Sequence, residues 1–288
     1  MITGTTKTVG LLGWPVGHSF SPLIHNAAFR ALGLDYVYIP LPVRSEDVAQ
    51  AVAGLRAFGF AGANVTVPHK VSVIPFLDRL DASAALVGAV NTIVLSAGQL
   101  VGYNTDMTGF IASLRAAGVA IEGCRAAVMG AGGAARAVVC GLVAAGAANV
   151  TVGARDAGKA RLFAASFAAG GVTGCGWEEA DFRQALAGCQ LLINATPVGM
   201  HGGLDRQLPL DWAAVNSPAV ACDLVYNPLD TRFLRTAREQ GHRTVDGLGM
   251  LVEQAVLAFA LWTGREAPRT AVRQALGQAL GLAEQETV

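Results

Sequence analysis

Lysine is nearly missing from this chain. Among 288 residues it occurs only as Lys7, Lys70 and Lys159, against 18 arginines. Charge of either sign is scarce as well: 15% of residues are charged and the formal net charge is zero. That balance gives no electrostatic footprint for nucleic acid or an anionic membrane, so neither partner is expected. No apolar run reaches the roughly 20 residues of a spanning helix. The two most apolar stretches, 126–154 and 250–262, are broken by Arg136 and by Glu253 and Gln254. The opening residues Met1-Ile2-Thr3-Gly4-Thr5-Thr6-Lys7 are too polar for a secretory signal, so a cytoplasmic location is expected. Cysteine is sparse and scattered. Cys124, Cys140, Cys175, Cys189 and Cys222 never form a Cys-x-x-Cys pair, which excludes a disulfide framework or a zinc site of that kind. They read as small buried residues in a reducing compartment.

What is present is a long alternation of β-rich and helical runs, and the length suits about two domains. Strands are expected over 9–13, 35–41, 63–67 and 89–95, with helices over 22–32 and 45–58. In the second helix Val48, Val52, Leu55 and Phe58 fall on one face, with Ser45 as a plausible cap. From about Asp106 the strands shorten and the helices become rich in Ala and Gly. Strands are expected over 126–129, 150–153, 172–175, 191–194, 220–224 and 243–245, and 164–171 reads as a helix followed by a turn. Such alternation argues for a parallel sheet covered on both faces. Residues 250–262 read as a helix buried between layers.

The run Arg125-Ala126-Ala127-Val128-Met129 leads into Gly130-Ala131-Gly132-Gly133-Ala134-Ala135-Arg136. It matches G-x-G-x-x-A between a strand and a helix, the context that gives this fingerprint meaning. Gly130 permits the tight turn, Gly132 lets backbone approach a pyrophosphate, and Ala135 permits close helix–strand packing. The phosphates would meet the helix N-terminus. The next strand ends at Gly153-Ala154-Arg155-Asp156, where a ribose-reading residue belongs. Arg155, with Lys159 one helical turn on, suits a 2′-phosphate, so NADP is expected over NAD. Asp156 leaves NAD open, and Lys159 could equally be a solvated helix residue.

Lys70 ends Asn64-Val65-Thr66-Val67-Pro68-His69-Lys70. An arginine stays charged at any accessible pH, whereas a partly desolvated lysine ammonium can release its proton. A lysine retained in an arginine-rich chain is therefore chance or chemistry, and its neighbours decide. Asn64 and Thr66, two apart on a strand, face one side. Asn91 carries an amide that needs partners or a ligand if buried. Asn104-Thr105-Asp106 leads into a helix, where Asp106 is a cap or a functional carboxylate. His18-Ser19-Phe20-Ser21-Pro22 precedes another helix. Ser21-Pro22 reads as N-cap and first helical residue, Ser19 has no evident structural task, and the helix start suits a small carboxylate.

These segments, with Gly13-Trp14-Pro15, Gly88-Ala89-Val90-Asn91-Thr92, Asn194-Ala195-Thr196, Asp223-Leu224-Val225-Tyr226-Asn227-Pro228 and Gly247-Leu248-Gly249-Met250-Leu251-Val252-Glu253-Gln254, resemble the shikimate dehydrogenase family in order along essentially the whole chain. The resemblance implies an α/β protein of two domains. One, over 1–106 and completed by helices in 247–288, would bind substrate on a mixed sheet. The other, over 107–246, would be a doubly wound Rossmann domain. It further implies reversible NADP-linked reduction of 3-dehydroshikimate to shikimate, with no metal and a monomeric or homodimeric protein. A quinate/shikimate dehydrogenase using NAD, or a non-catalytic dinucleotide sensor, are the alternatives.

By position, Lys70 and Asp106 match the family's catalytic pair. Ser19, Ser21, Thr66, Asn91, Asp106, Tyr226 and Gln254 match its substrate contacts. Gly130, Ala131, Gly132, Gly133, Ala134, Ala154, Arg155, Lys159, Leu224 and Gly247 match its cofactor contacts. Two departures stand out: Ala154 replaces an Asn before the arginine, and Pro197 replaces a Ser after Asn194-Ala195-Thr196.

Overall fold

The computed structural model describes residues 2–167, 170–200, 207–215 and 218–281. Part of the expected helix-and-turn segment (168–169) and the last residues of the expected C-terminal segment (282–288) lie outside the described residues. The chain divides into two compact units, Met1–Asp106 with Val252–Val288, and Met107–Leu251.

In the first unit, β1 (Lys7–Gly13), α1 (Ser21–Ala31), β2 (Tyr36–Pro42), α2 (Val48–Ala57), β3 (Gly62–Val65), β4 (Arg79–Leu80), α3 (Ala82–Val87), β5 (Thr92–Ser96) and β6 (Gln99–Tyr103) follow in order. The sheet runs β2-β1-β3-β5-β6-β4 and is mixed. Helical crossovers make β1 parallel to β2 and β3, whereas β5 is antiparallel to β3 and β6. The β5–β6 hairpin closes through Ala97 at φ 49° and Gly98 at φ 77°. Two positive dihedrals match the twist of the flanking strands. Periodicity foreshadows neither β4, β6 nor α3.

Two expectations here are corrected. Ser45 is not a cap, because 45–47 form a separate 3-10 turn and α2 begins at Val48. Val48, Val52 and Leu55 are buried, but Phe58 is 82% exposed, since it sits where the chain leaves α2.

The second unit follows α4 (Asp106–Ala116) with β7 (Arg125–Met129), α5 (Gly133–Ala144), β8 (Asn149–Ala154), α6 (Ala157–Ala165), β9 (Val172–Gly176), α7 (Ala180–Gly188), β10 (Leu191–Asn194), β11 (Val220–Asp223), α8 (Arg232–Glu239) and β12 (Arg243–Val245). Its sheet runs β12-β11-β10-β7-β8-β9 and all its pairings are parallel. The order reverses between β7 and β10, the point where doubly wound sheets open a crevice at their carboxyl ends. Phe110, Val138, Leu142 and Phe163 fill one apolar cluster, and Phe182, Leu186, Phe233 and Leu234 another.

The chain returns through α9 (Leu248–Thr263), which α10 (Arg269–Leu280) follows. In the first unit, Trp262 Nε1 donates to the Ile93 carbonyl at 3.0 Å, and Tyr36 Oη donates to the Trp262 carbonyl at 3.3 Å. His25 stacks on Tyr38 with ring centroids 4.6 Å apart. Burial pushes the His25 imidazole down to about 3, against a raising hydrogen bond with Asn64, so the ring is neutral in this core. Among the described residues, no helix is long and apolar enough to cross a membrane.

Candidate active site

Lys70 lies in the turn that follows β3. That turn is tied down on several sides: Thr66 N–H donates to the Leu12 carbonyl at 2.8 Å, and His69 N–H to the Thr66 carbonyl at 2.9 Å. The buried His69 ring donates from Nε2 to the Val43 carbonyl at 2.7 Å. Lys70 C=O accepts from Val90 N–H at 2.7 Å, so the lysine backbone is fixed to the segment that precedes β5.

From this anchored position Lys70 Nζ donates to Asp106 Oδ2 at 2.6 Å. The pair is partly withdrawn from water, with side-chain exposures of 16% and 6%. Asp106 opens α4, and its second oxygen is occupied too: Asn91 Nδ2 donates to Oδ1 at 2.8 Å. Asn91 is held in turn by Thr105, whose N–H donates to Oδ1 at 2.8 Å and whose Oγ1 accepts from Nδ2 at 2.8 Å. Three expected site residues, Lys70, Asn91 and Asp106, thus form one hydrogen-bonded cluster. A nearly buried carboxylate that orients an ammonium can present it to one substrate oxygen while accepting a hydrogen bond from a hydroxyl.

Ser19 and Ser21 also meet, with Ser19 Oγ donating to Ser21 Oγ at 3.2 Å. Their local roles differ from expectation. The helix begins at Ser21 with Phe20 as its cap residue and no side-chain cap bond, so Pro22 stands second rather than first. Ser19, expected to be structurally idle, accepts from Ser21 N–H at 3.2 Å. Thr66 is half-buried just past the end of β3, not within it. Gln254 is half-buried on α9. Tyr226 is half-buried in the loop after β11, in the second unit.

The second unit holds the glycine loop. Gly130 has φ 112°, and a Cβ there would sit 3.0 Å from the Ala195 carbonyl oxygen. Its N–H donates to the Gly153 carbonyl at 2.8 Å. Gly132 is the cap residue of α5 with no side-chain cap bond, and a Cβ on it would enter open space. Ala135 is fully buried under the helix. The first N–H groups of α5, at Gly133 and Ala134, have no partner within a helix and point outward from its positive end. This is a fit for a pyrophosphate.

Beyond β8, Arg155 and Lys159 are exposed cations, and Ala154 is buried. Asp156 has a structural task that the sequence reading did not give it. Its Oδ1 accepts from Lys159 N–H at 3.0 Å as the cap of α6, and the residue is exposed. Leu224 N–H donates to the Asn194 carbonyl at 3.0 Å, and Gly247 lies so near Leu224 that a Cβ would stand 2.5 Å from its carbonyl oxygen.

Sequence reasoning missed the network that shapes this end of the second sheet. Asn194 and Asp223, quoted only as parts of motifs, are both fully buried. Asp223 accepts from Asn194 Nδ2 at 2.9 Å, Val225 N–H at 3.0 Å and Thr231 Oγ1 at 2.7 Å. Burial pushes its carboxyl up to about 6 against these donors, with Asp246 adding to the rise. Beside Pro197, Thr196 Oγ1 donates to Asn194 Oδ1 at 2.7 Å and accepts from Val198 N–H at 3.2 Å, which holds the turn. A buried Asn or Asp at each of two adjacent strand ends was the available signal.

The shikimate dehydrogenase (NADP(+)) of Carboxydothermus hydrogenoformans is 44% identical to this chain over 276 residues, covering 96% of this chain and 98% of its own length. The chain belongs to the shikimate dehydrogenase family. Two family models match parts of it: the shikimate dehydrogenase substrate binding domain over 11–93 and the shikimate 5′-dehydrogenase C-terminal domain over 247–276. Among solved structures, a shikimate dehydrogenase in complex with NADP+ superposes with a TM-score of 0.89 at 37% identity, covering 97% of this chain and 98% of that one. The shikimate 5-dehydrogenase of Thermus thermophilus, in complex with NADP(H) and shikimate, does so with a TM-score of 0.85 at 36% identity, covering 95% and 100%. The two-sheet α/β architecture is that of this family.

Proposed function

We propose that this protein catalyses the reversible NADP-linked interconversion of 3-dehydroshikimate and shikimate. The observation that carries the reading is the Lys70–Asp106 pair, 2.6 Å apart and largely withdrawn from water, with Asn91 on the second carboxylate oxygen. Relatives across the whole chain are named for the same activity. When bound, NADP accepts or donates the hydride. Every other task falls to the protein.

Lys70 gives its Nζ proton to the oxygen of the ring ketone as that oxygen gains charge, and it takes the proton back in the oxidative direction. A positioned acid–base group of this kind contributes about 10²–10⁴ in rate. Asp106 orients the ammonium and accepts from a ring hydroxyl. Thr66 and Gln254 fix further hydroxyls, and Asn91, whose amide is taken up by Thr105, Thr92 and Asp106, holds the carboxylate in place. Ser19 and Ser21 at the start of α1 receive the ring carboxylate, where the helix N-terminus favours an anion. Gly130, Ala131, Gly132, Gly133 and Ala134 cradle the pyrophosphate, Ala154 borders the adenine ribose, and Leu224 and Gly247 border the nicotinamide end. Arg155 and Lys159 pair with the 2′-phosphate. The helix-cap bond that engages one oxygen of Asp156 supports NADP over NAD.

On this reading the first unit binds substrate and the second binds cofactor. Five buried free thiols suit a cytoplasmic, reducing setting, in which the protein acts as a monomer or homodimer. Steady-state rates by NADPH absorbance, with shikimate and quinate each tried with NADP and NAD, test the reading. Shikimate with NADP should be the fastest pair. Preference for quinate with NAD would replace it with the sister activity, and no turnover with any pair would leave a sensor.

A further inference from the structure

The cluster around Asp106 does not end at Asn91. Asn64 and Thr92, both buried and neither assigned a task above, continue it into the core of the first unit as far as Tyr38. Tyr38 Oη meets Asn64 Oδ1 at 2.8 Å. Asn64 Nδ2 meets Thr92 Oγ1 at 3.0 Å and the Asn91 carbonyl at 3.1 Å. Thr92 Oγ1 meets Asn91 Oδ1 at 3.0 Å, and Asn91 Nδ2 meets Asp106 Oδ1 at 2.8 Å.

Backbone groups that can act in only one sense fix the direction of every link. The Asn91 carbonyl only accepts, so the nitrogen of Asn64 must face it, and Asn64 Oδ1 is left to accept from the phenol. The Thr105 N–H only donates, so Asn91 Oδ1 must face it, and Asn91 Nδ2 is left to face the carboxylate. Thr92 Oγ1, accepting a hydrogen bond from Asn64 Nδ2, then donates its own O–H to Asn91 Oδ1. All donors therefore point from Tyr38 toward Asp106. A one-way chain in a dry core polarises each successive bond in the same sense and opposes rotation of the terminal amide. Were Asn91 to flip, its carbonyl oxygen would face a carboxylate oxygen.

The geometry points to Thr92, with Asn64 and Tyr38 behind it, as positioning residues that lock the Asn91 amide and through it the Asp106 carboxylate that orients Lys70. This rests on the proposed function of that pair. Thr92 is fully buried and touches no reacting group. It acts only through Asn91.

Thr92→Val keeps shape and β-branching while deleting the hydroxyl, and Thr92→Ser keeps the hydroxyl. Steady-state kinetics with shikimate and NADP should show kcat for Thr92→Val lowered roughly ten- to a hundredfold, with both KM values moved less than about threefold and NADPH affinity by fluorescence titration unchanged. Thr92→Ser should recover most of the turnover. Tyr38→Phe, at the far end, should lower kcat by about threefold. In parallel, hydrogen exchange of the Asn91 side-chain amide by nitrogen-15 NMR should be slow in the wild type and faster in Thr92→Val, a reading that needs no substrate.

Wild-type kcat in a folded Thr92→Val, equal losses in the Val and Ser variants, or Asn91 amide exchange unchanged by the loss of the hydroxyl would each overturn the relay. If Thr92→Val does not fold, Tyr38→Phe decides, and wild-type turnover there overturns it. A wild type inactive with every substrate pair strikes the functional reading instead, and amide exchange still decides the relay.

Discussion

On the proposed reading, the two units do their chemical work with different parts of the chain. In the second, the glycine loop works with backbone: one positive dihedral at Gly130, a bare cap position at Gly132 and the N–H groups of a helix start. In the first, Lys70, Asn91 and Asp106 work with side chains drawn from a turn, a strand approach and a helix start. A backbone site tolerates most truncations and fails when atoms are added. A side-chain site fails when atoms are removed. The difference predicts opposite sensitivities.

The largest effect belongs to truncation in the first unit. Lys70→Ala should lower kcat by about 10²–10⁴ with a modest change in KM, measured by steady-state turnover of shikimate. Turnover near the wild type would break the side-chain half of the comparison. Addition in the second unit comes next. Gly130→Ala forces a Cβ onto φ 112° and into the Ala195 carbonyl, a strain of about 1–3 kcal/mol. Thermal unfolding should report that loss, and KM for NADP should rise while KM for shikimate holds. An unchanged KM for NADP would mean that the loop is only a tight turn.

A smaller effect comes from the one place where the second unit is expected to use charge. Arg155→Ala should raise KM for NADP by about tenfold and leave NAD kinetics alone, since an exposed cation against a phosphate is discounted by solvent. Equal changes for both cofactors would remove Arg155 from the 2′-phosphate.

How much of this was legible follows the same division. The loop 130–136 is contiguous and sits between a strand and a helix of clear periodicity, so a local reading found it whole. The strands 191–194 and 243–245 were read to the residue for the same reason. In the first unit Lys70, Asn91 and Asp106 were singled out through their motifs and the family resemblance, although Lys70 and Asp106 are 36 residues apart. Tyr38, Asn64 and Thr92 were not brought together, because no motif links buried polar side chains that meet only in the fold. β6 was missed because its hairpin turns on Ala97, an unusual residue for a positive φ. The cap role of Asp156 was not read, because a helix cap and a ribose contact ask for the same side chain, and the bond to Lys159 N–H is visible only in the fold.

A prediction about stability rather than turnover concerns Asp223, the fully buried acid at the end of β11. Its carboxyl is raised from 3.8 to about 6 by burial. The folded state therefore holds a proton that the unfolded state has released between those values, and this contribution to stability is present at low pH and lost as pH rises through about 6. Asp223→Asn stays neutral throughout and can donate to Thr231 Oγ1. The stability of the wild type relative to this variant should fall, by on the order of 1–3 kcal/mol, between pH 4 and 6 and stay level above it. A difference independent of pH in denaturant titrations would place the titration elsewhere.

The central claim is that Lys70 moves a proton rather than merely carrying a charge, and turnover of Lys70→Arg with shikimate and NADP tests it most directly. Arginine keeps the cation and its pairing with Asp106 but does not release a proton. Turnover should fall by two orders of magnitude or more while the protein stays folded and binds NADPH. A fully active arginine variant would contradict the account and reduce Lys70 to a binding cation.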